Sequence, residues 1–191
     1  MKMYNHTTYA ILGILTTNCR SGYAIKQLID RSLNHFWKIS YGQIYPTLKR
    51  IVDDGLAEVR DSSGEGKRDK QEYTLTSKGM ETLGKWLSEP VDQPPLEKNE
   101  ILLKLFFGRH QSTDHSIKLL TDYKGKLQER LATYMTIEEG ILNQEERSED
   151  VDYWLFTLDY GKRAALASID WCDATLEKLN SKEEHDGQTS V

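Results

Sequence analysis

The chain has 191 residues, 38% of them apolar and 29% charged, with 4 Trp, 10 Tyr and 4 Phe. That composition excludes a disordered or collagen-like chain and fits one large domain or two small ones. The net charge of −5 is uneven: residues 1–90 carry 13 Lys+Arg against 10 Asp+Glu, and residues 91–191 carry 12 against 20. Such asymmetry is a cue for a nucleic-acid-binding part joined to an acidic part.

The longest apolar run, residues 10–15, is too short for a membrane span or the core of a leader, so no membrane partner is expected. Cys19 and Cys172 form no CxxC pair and no disulfide framework. A reducing, cytoplasmic setting is therefore expected. Pro90, Pro94 and Pro95 break both helix and ladder, and no proline follows them. They divide the chain into a first domain (1–89), a proline-rich linker (90–96) and a second domain (97–180). The polar residues 181–191 are expected to form a disordered tail.

The first domain is predicted to hold three helices and a hairpin. Residues 9–15 are apolar on nearly all sides, as a short buried helix would be. Ser21 is placed to cap a second helix with Ala24, Ile25, Leu28, Ile29 and Leu33 on one stripe. Ser40 opens a third, where Ser40 and Gln43 fit a capping box. Ile44, Leu48, Ile51 and Val52 line its buried face, and Gly55 suits the left-handed position after its end. Pro46 should loosen or kink its first turn, with Gly42 four residues back relieving the clash. Residues 56–60 and 72–75 alternate as two strands around a long basic tip, and Thr76 is placed to cap a further helix.

The second domain reads as helix throughout. A short apolar helix covers residues 101–107, and a long one runs from about residue 113 to 145. Its heptad positions are Ile117, Leu120, Lys124, Leu127, Leu131, Tyr134, Glu138 and Ile141. The last helix repeats Leu155, Leu158, Lys162, Ala165, Ile169, Cys172, Leu176 and Leu179. Seams of this kind argue for coiled-coil-like packing, either within one chain or across a dimer. The apolar members of the last seam are the expected dimer interface.

Three helices followed by a hairpin is the order of a winged helix-turn-helix, whose third helix enters the major groove. The residues narrow this further. Residues 9–15 (YAILGIL), 21–25 (SGYAI), 42–50 (GQIYPTLKR), 54–56 (DGL) and 73–79 (YTLTSKG) resemble the PadR family of bacterial transcriptional regulators. The match in order and spacing spans residues 9–87. The remainder is similar to the larger subgroup, whose C-terminal domain is helical and dimerises. The expected fold class is thus mainly α with a small β-hairpin, a winged helix joined to a helical dimerisation domain. The resemblance implies a homodimeric repressor on a palindromic double-stranded operator. Its phenolic-acid-sensing members leave DNA when the ligand binds.

The third helix can be read independently of that resemblance. Opposite its core face lie Gln43, Lys49 and Arg50, flanked by Tyr41 and Tyr45. Gln pairs with an adenine edge, Lys and Arg reach guanine or phosphate, and tyrosine hydroxyls bond phosphate. Ser21 begins the second helix, where unpaired N–H groups suit a phosphate, with Lys26 one turn on. Ser40 joins this set at the start of the third helix. Lys67 and Arg68 follow two glycines at the wing tip and suit backbone contacts.

No phosphate-binding glycine loop, nucleophile elbow or HExxH motif occurs, so an enzyme, a metal and a cofactor are not expected. Phe36, Trp37, Tyr153 and Trp154 are the candidate lining of a small aromatic effector's pocket. A protein-interaction adaptor, built on the same winged helix without operator binding, is the alternative.

Overall fold

The computed structural model describes residues 3–61, 71–93, 98–143 and 148–188, with the backbone alone for 183–188. The chain divides into two compact units, Met1–Pro94 and Pro95–Val191.

The first unit runs α1 (His6–Ile14), α2 (Gly22–Arg31), α3 (Tyr41–Asp53), β1 (Ala57–Asp61), β2 (Gln71–Leu75) and α4 (Ser77–Ser88). Three helices start on side-chain caps. Asn5 accepts from Thr8 N, Ser21 from Ala24 N and Thr76 from Gly79 N. Each satisfies an amide that the helix start leaves open. The core joins Ile11 and Leu12 of α1, Ile25 and Ile29 of α2, and Ile44, Leu48 and Ile51 of α3, with Leu56, Tyr73 and Leu83. Tyr9 stacks flat on Trp86 of α4, ring centroids 4.6 Å apart, closing the side of the core.

The strands pair antiparallel in the register Ala57↔Leu75 to Asp61↔Gln71. The hairpin does not stand alone. Tyr73 N donates to Arg20 O at 2.8 Å, and Ser21 bridges Glu72, so β2 also grips the start of α2. At the other end, Gly55 takes φ +70°, the conformation foreseen for it. Thr76 Oγ1 donates to Gly55 O at 2.8 Å and Lys78 Nζ to Asp54 O at 2.7 Å. These bonds tie the end of α3, the hairpin and α4 into one junction.

One expectation for α3 needs correction. The Ser40 hydroxyl makes no cap hydrogen bond, so the Ser40–Gln43 capping box is not formed. The helix also runs unbroken through Pro46, an exposed position four residues after Gly42. Glycine there leaves room for the ring that would otherwise press on the preceding turn.

The second unit holds α5 (Glu100–Phe106), α6 (Thr113–Leu142) and α7 (Val151–Gln188). Helices α6 and α7 form an antiparallel hairpin, and the two heptad seams face each other within one chain. Leu120, Leu127 and Tyr134 of α6 are buried, as are Ala165 and Cys172 of α7. Ile169, Leu176 and Leu179 are half-buried in the same cluster, while Leu155 and Leu158 are half-buried further along α7. The polar exceptions to the pattern are paired across the seam. Lys162 Nζ donates to Glu138 Oε1 at 2.6 Å, and Lys124 Nζ donates to Asp173 Oδ1. The seam is thus covered in part within the chain: Ala165 and Cys172 are buried, and Leu155, Leu158, Ile169, Leu176 and Leu179 keep part of their surface open.

Helix α7 also extends past residue 180 to Gln188, where the sequence reading places a disordered tail. Lys182, Glu183 and Glu184 are good helix formers, and no proline stops the propagating helix.

Candidate nucleic-acid interface

The core fixes which side of α3 is free. Ile44, Thr47, Leu48 and Ile51 are buried, whereas Tyr41, Gln43, Tyr45, Lys49 and Arg50 are all exposed. One helix therefore carries an apolar face held by α1 and α2 and a polar face aimed at solvent. Thr47 belongs to the buried face, although the sequence reading did not place it there.

The exposed face is not a set of independent side chains. The Tyr41 hydroxyl donates to Asp30 Oδ1 at 2.5 Å, and the Lys26 ammonium stands 4.3 Å from the centre of the Tyr41 ring. The hydrogen bond to Asp30 is the main reason the Tyr41 phenol is held above its ordinary value, with burial and the carboxylate's charge adding to it. The Tyr45 ring lies across Gly22, where a Cβ would come within 2.7 Å of it. A residue larger than glycine at position 22 would displace that ring. Ser21, one residue earlier, is spent on its cap: its Oγ accepts from Ala24 N at 3.2 Å.

On the wing, Arg60 is exposed and stands 3.8 Å from Glu58. Lys67 and Arg68 lie outside the described residues. Ser40, Tyr41, Gln43, Tyr45, Lys49 and Arg50 thus share one helix surface, with Lys26 brought to it by the Tyr41 ring. Sequence reasoning missed Asp30. Its signal, a carboxylate eleven residues before a tyrosine, has no local period to reveal it.

The candidate effector residues divide between the units. Trp37 rests on His6, ring centroids 5.0 Å apart, and Phe36 is exposed. In the second unit, Tyr153 meets Phe156 edge to face at 6.1 Å, and Trp154 is half-buried. A shallow groove of about 540 Å³ on α5, lined by Lys98, Asn99, Glu100, Leu102, Leu103 and Phe106, was not foreseen. Among the described residues, no group of His, Cys, Asp and Glu could hold a metal ion. No described helix is long and apolar enough to cross a membrane.

Comparison with known proteins decides the family. The chain matches the transcriptional regulator PadR-like family over residues 11–85 and the virulence activator alpha C-terminal family over residues 97–180. It is 36% identical over 124 residues to the negative transcriptional regulator PadR of Bacillus subtilis, covering 65% of this chain and 68% of that protein. The chain belongs to the PadR-like family. It is a transcriptional regulator and not an enzyme. The Bacillus subtilis PadR structure in complex with operator DNA superposes with a TM-score of 0.81 at 29% identity, covering 92% of this chain and 99% of that one. The same protein in complex with p-coumaric acid gives 0.78 at 28% identity, over 93% and 99%. With the C-terminal match, the chain falls in the larger PadR-like subgroup, whose second domain is helical.

Proposed function

We propose that this PadR-like chain is a homodimeric cytoplasmic repressor that binds operator DNA through α3 and leaves it on binding a small aromatic effector. One observation carries the DNA-binding part. Gln43, Lys49 and Arg50 all point away from the core on the helix that a winged fold lays in the major groove. The operator complex of the similar Bacillus subtilis PadR supports it. Tyr45, Ser40 and the start of α2 at Ser21 then face the phosphates, and Lys67 and Arg68 of the wing follow the backbone.

The dimer surface is placed on α7, at the half-buried seam residues Leu155, Leu158, Ile169, Leu176 and Leu179 and at a second, exposed face of the same helix. Tyr153, Phe156 and Tyr160 are 70%, 68% and 75% exposed at i, i+3 and i+7, and Ala164, Ala167 and Trp171 continue that stripe. Water does not tolerate a row of large aromatic rings without cost, and a two-fold partner would cover them. Two winged helices on one dimer reach half-sites about 34 Å apart, or a multiple of that. The effector is a planar phenolic or similarly aromatic acid, a reading supported by the p-coumaric acid complex of the similar PadR. Its proposed contacts are named within each unit by itself: Phe36 and Trp37 in the first, Tyr153 and Trp154 in the second.

Fluorescence anisotropy on duplexes from the promoters of the chain's own and neighbouring genes tests the reading. We expect a sequence-specific complex at moderate salt that p-coumaric acid or a related phenolic acid dissociates. Absence of any specific complex, with or without these acids, would favour the adaptor instead.

A further inference from the structure

We propose that Asp30 is the positioning residue of the DNA-facing start of α3, using the Tyr41 ring as a strut between the two helices. The proposal rests on the operator-binding reading above and names a residue that the exposed arc of α3 does not include.

The start of α3 lacks the support that the starts of α1, α2 and α4 receive. Ser40 makes no side-chain cap bond. Something else must hold the first turn, and the side-chain bonds around it lead to one atom. Tyr41, the first residue of the helix, donates its hydroxyl proton to Asp30 Oδ1 at 2.5 Å. Asn34 Nδ2 donates to the same oxygen at 3.1 Å, and Asn34 Oδ1 accepts from Ile39 N at 3.1 Å. The last turn of α2, the connecting segment and the first turn of α3 are therefore joined through one carboxylate oxygen. That connecting segment is the turn of the helix-turn-helix, and its geometry sets how α3 meets the groove.

The apolar contacts do not fix this turn by themselves. Ile39 is buried, but Phe36 and Trp37 beside it remain exposed. A hydroxyl-to-carboxylate bond is charge-assisted and therefore among the stronger polar contacts. The face of the ring does a second job. Lys26, one turn before Asp30 on α2, sets its ammonium over that face. Anchored at its hydroxyl, the ring holds a cation beside the surface that meets phosphates. The Tyr41 hydroxyl is then a structural donor, not the phosphate contact that its position on the helix suggests.

The test has one arm without DNA and one with it. In the free full-length protein, carbon-13 NMR of labelled tyrosine follows the hydroxyl titrations. Tyr41 should titrate above the ordinary tyrosine value, and Asp30→Ala should lower it. Anisotropy is then measured on the operator duplex and on a random duplex. Tyr41→Phe and Asp30→Ala should each weaken operator binding about tenfold, and the double variant should be no weaker than the poorer single one. Asp30→Asn keeps an acceptor oxygen and should bind nearly as the wild type does.

Three results overturn the proposal. The first is a Tyr41 titration that Asp30→Ala leaves unchanged; the second is tighter binding by both Asp30→Ala and Asp30→Asn, marking Asp30 as a mere repelling charge; the third is single losses that multiply in the double variant, marking the hydroxyl as an independent phosphate contact. A shifted Tyr41 titration with no operator complex from the wild type instead overturns the operator-binding reading, and with it the use assigned to the strut. A normal titration with an intact operator complex overturns the strut alone.

Discussion

Lys162 and Glu138 face each other across the α6–α7 hairpin, Nζ donating to Oε1 at 2.6 Å, each at a place where its own seam breaks the apolar pattern. A polar pair at facing positions of a coiled-coil seam fixes register, because a slip leaves both charges against apolar neighbours. Lys162→Ala strands a half-buried carboxylate and should cost about 1–2 kcal/mol in a urea melt. Changing both residues to Leu should recover most of that loss. A single variant as stable as the wild type would mean that the pair contributes nothing to the hairpin.

The junction between α3 and α4 depends on two glycines for different reasons. A Cβ on Gly79 would stand 2.0 Å from Leu56 O, a backbone atom that cannot swing aside. Gly55 has free space but sits at φ +70°. Gly79→Ala should therefore cost about 3 kcal/mol or more, by forcing the hairpin off α4. Gly55→Ala should cost about 1–2 kcal/mol. Thermal melts of the two variants rank them, and the reverse order would contradict the packing described.

Gln43→Ala separates base reading from folding. With the capping box unformed, the substitution should leave the melting temperature unchanged. Operator binding should fall by about 1–3 kcal/mol, with relaxed preference at one position, while binding to random DNA stays as it was. Equal losses on both duplexes would remove Gln43 from the base-reading set.

Lys49→Ala addresses the backbone term. If the Lys49 ammonium, exposed on α3, neutralises one phosphate, the slope of log K against log salt should flatten by about one unit. The loss should appear on every sequence alike. An unchanged slope would return Lys49 to the solvated surface.

Local chemistry was the legible part of this chain. Ser21, Thr76 and Gly55 act where their residue types place them, because a cap or a left-handed turn is decided within a few residues. Ile44, Leu48 and Ile51 follow their period into the core for the same reason. Ser40 fits a local motif too, yet it makes no cap, and Tyr41 beside it is held by a residue eleven positions earlier. Contacts over such distances leave no trace in a window of sequence. The seam of α7 shows the same boundary. Its period reveals a stripe but not the partner, and one seam suits an intramolecular helix as well as a second chain. The aromatic side chains of Tyr153, Phe156 and Tyr160 were visible as a cluster, but only the burial of Cys172 and Ala165 on the other side marks them as left over.

That leftover stripe gives the sharpest test of assembly. Tyr160→Asp puts a charge on a surface that water already reaches in a single chain, so folding should be undisturbed. If a second copy covers it, the same charge becomes buried and unpaired, at a cost of several kcal/mol to association. Cys172→Asp is the contrast, since that side chain is fully buried against α6, and its thiol is already pushed up by burial. It should unfold the second unit without passing through a folded monomer. Analytical ultracentrifugation with circular dichroism distinguishes the two. Tyr160→Asp is expected to sediment at 22.0 kDa with full helicity while the wild type sediments at twice that mass. The monomer should also lose operator affinity by orders of magnitude, because each winged helix then reads its half-site alone. A wild-type chain at 22.0 kDa at micromolar concentration would remove the dimer. A dimeric Tyr160→Asp variant would move the interface to another face.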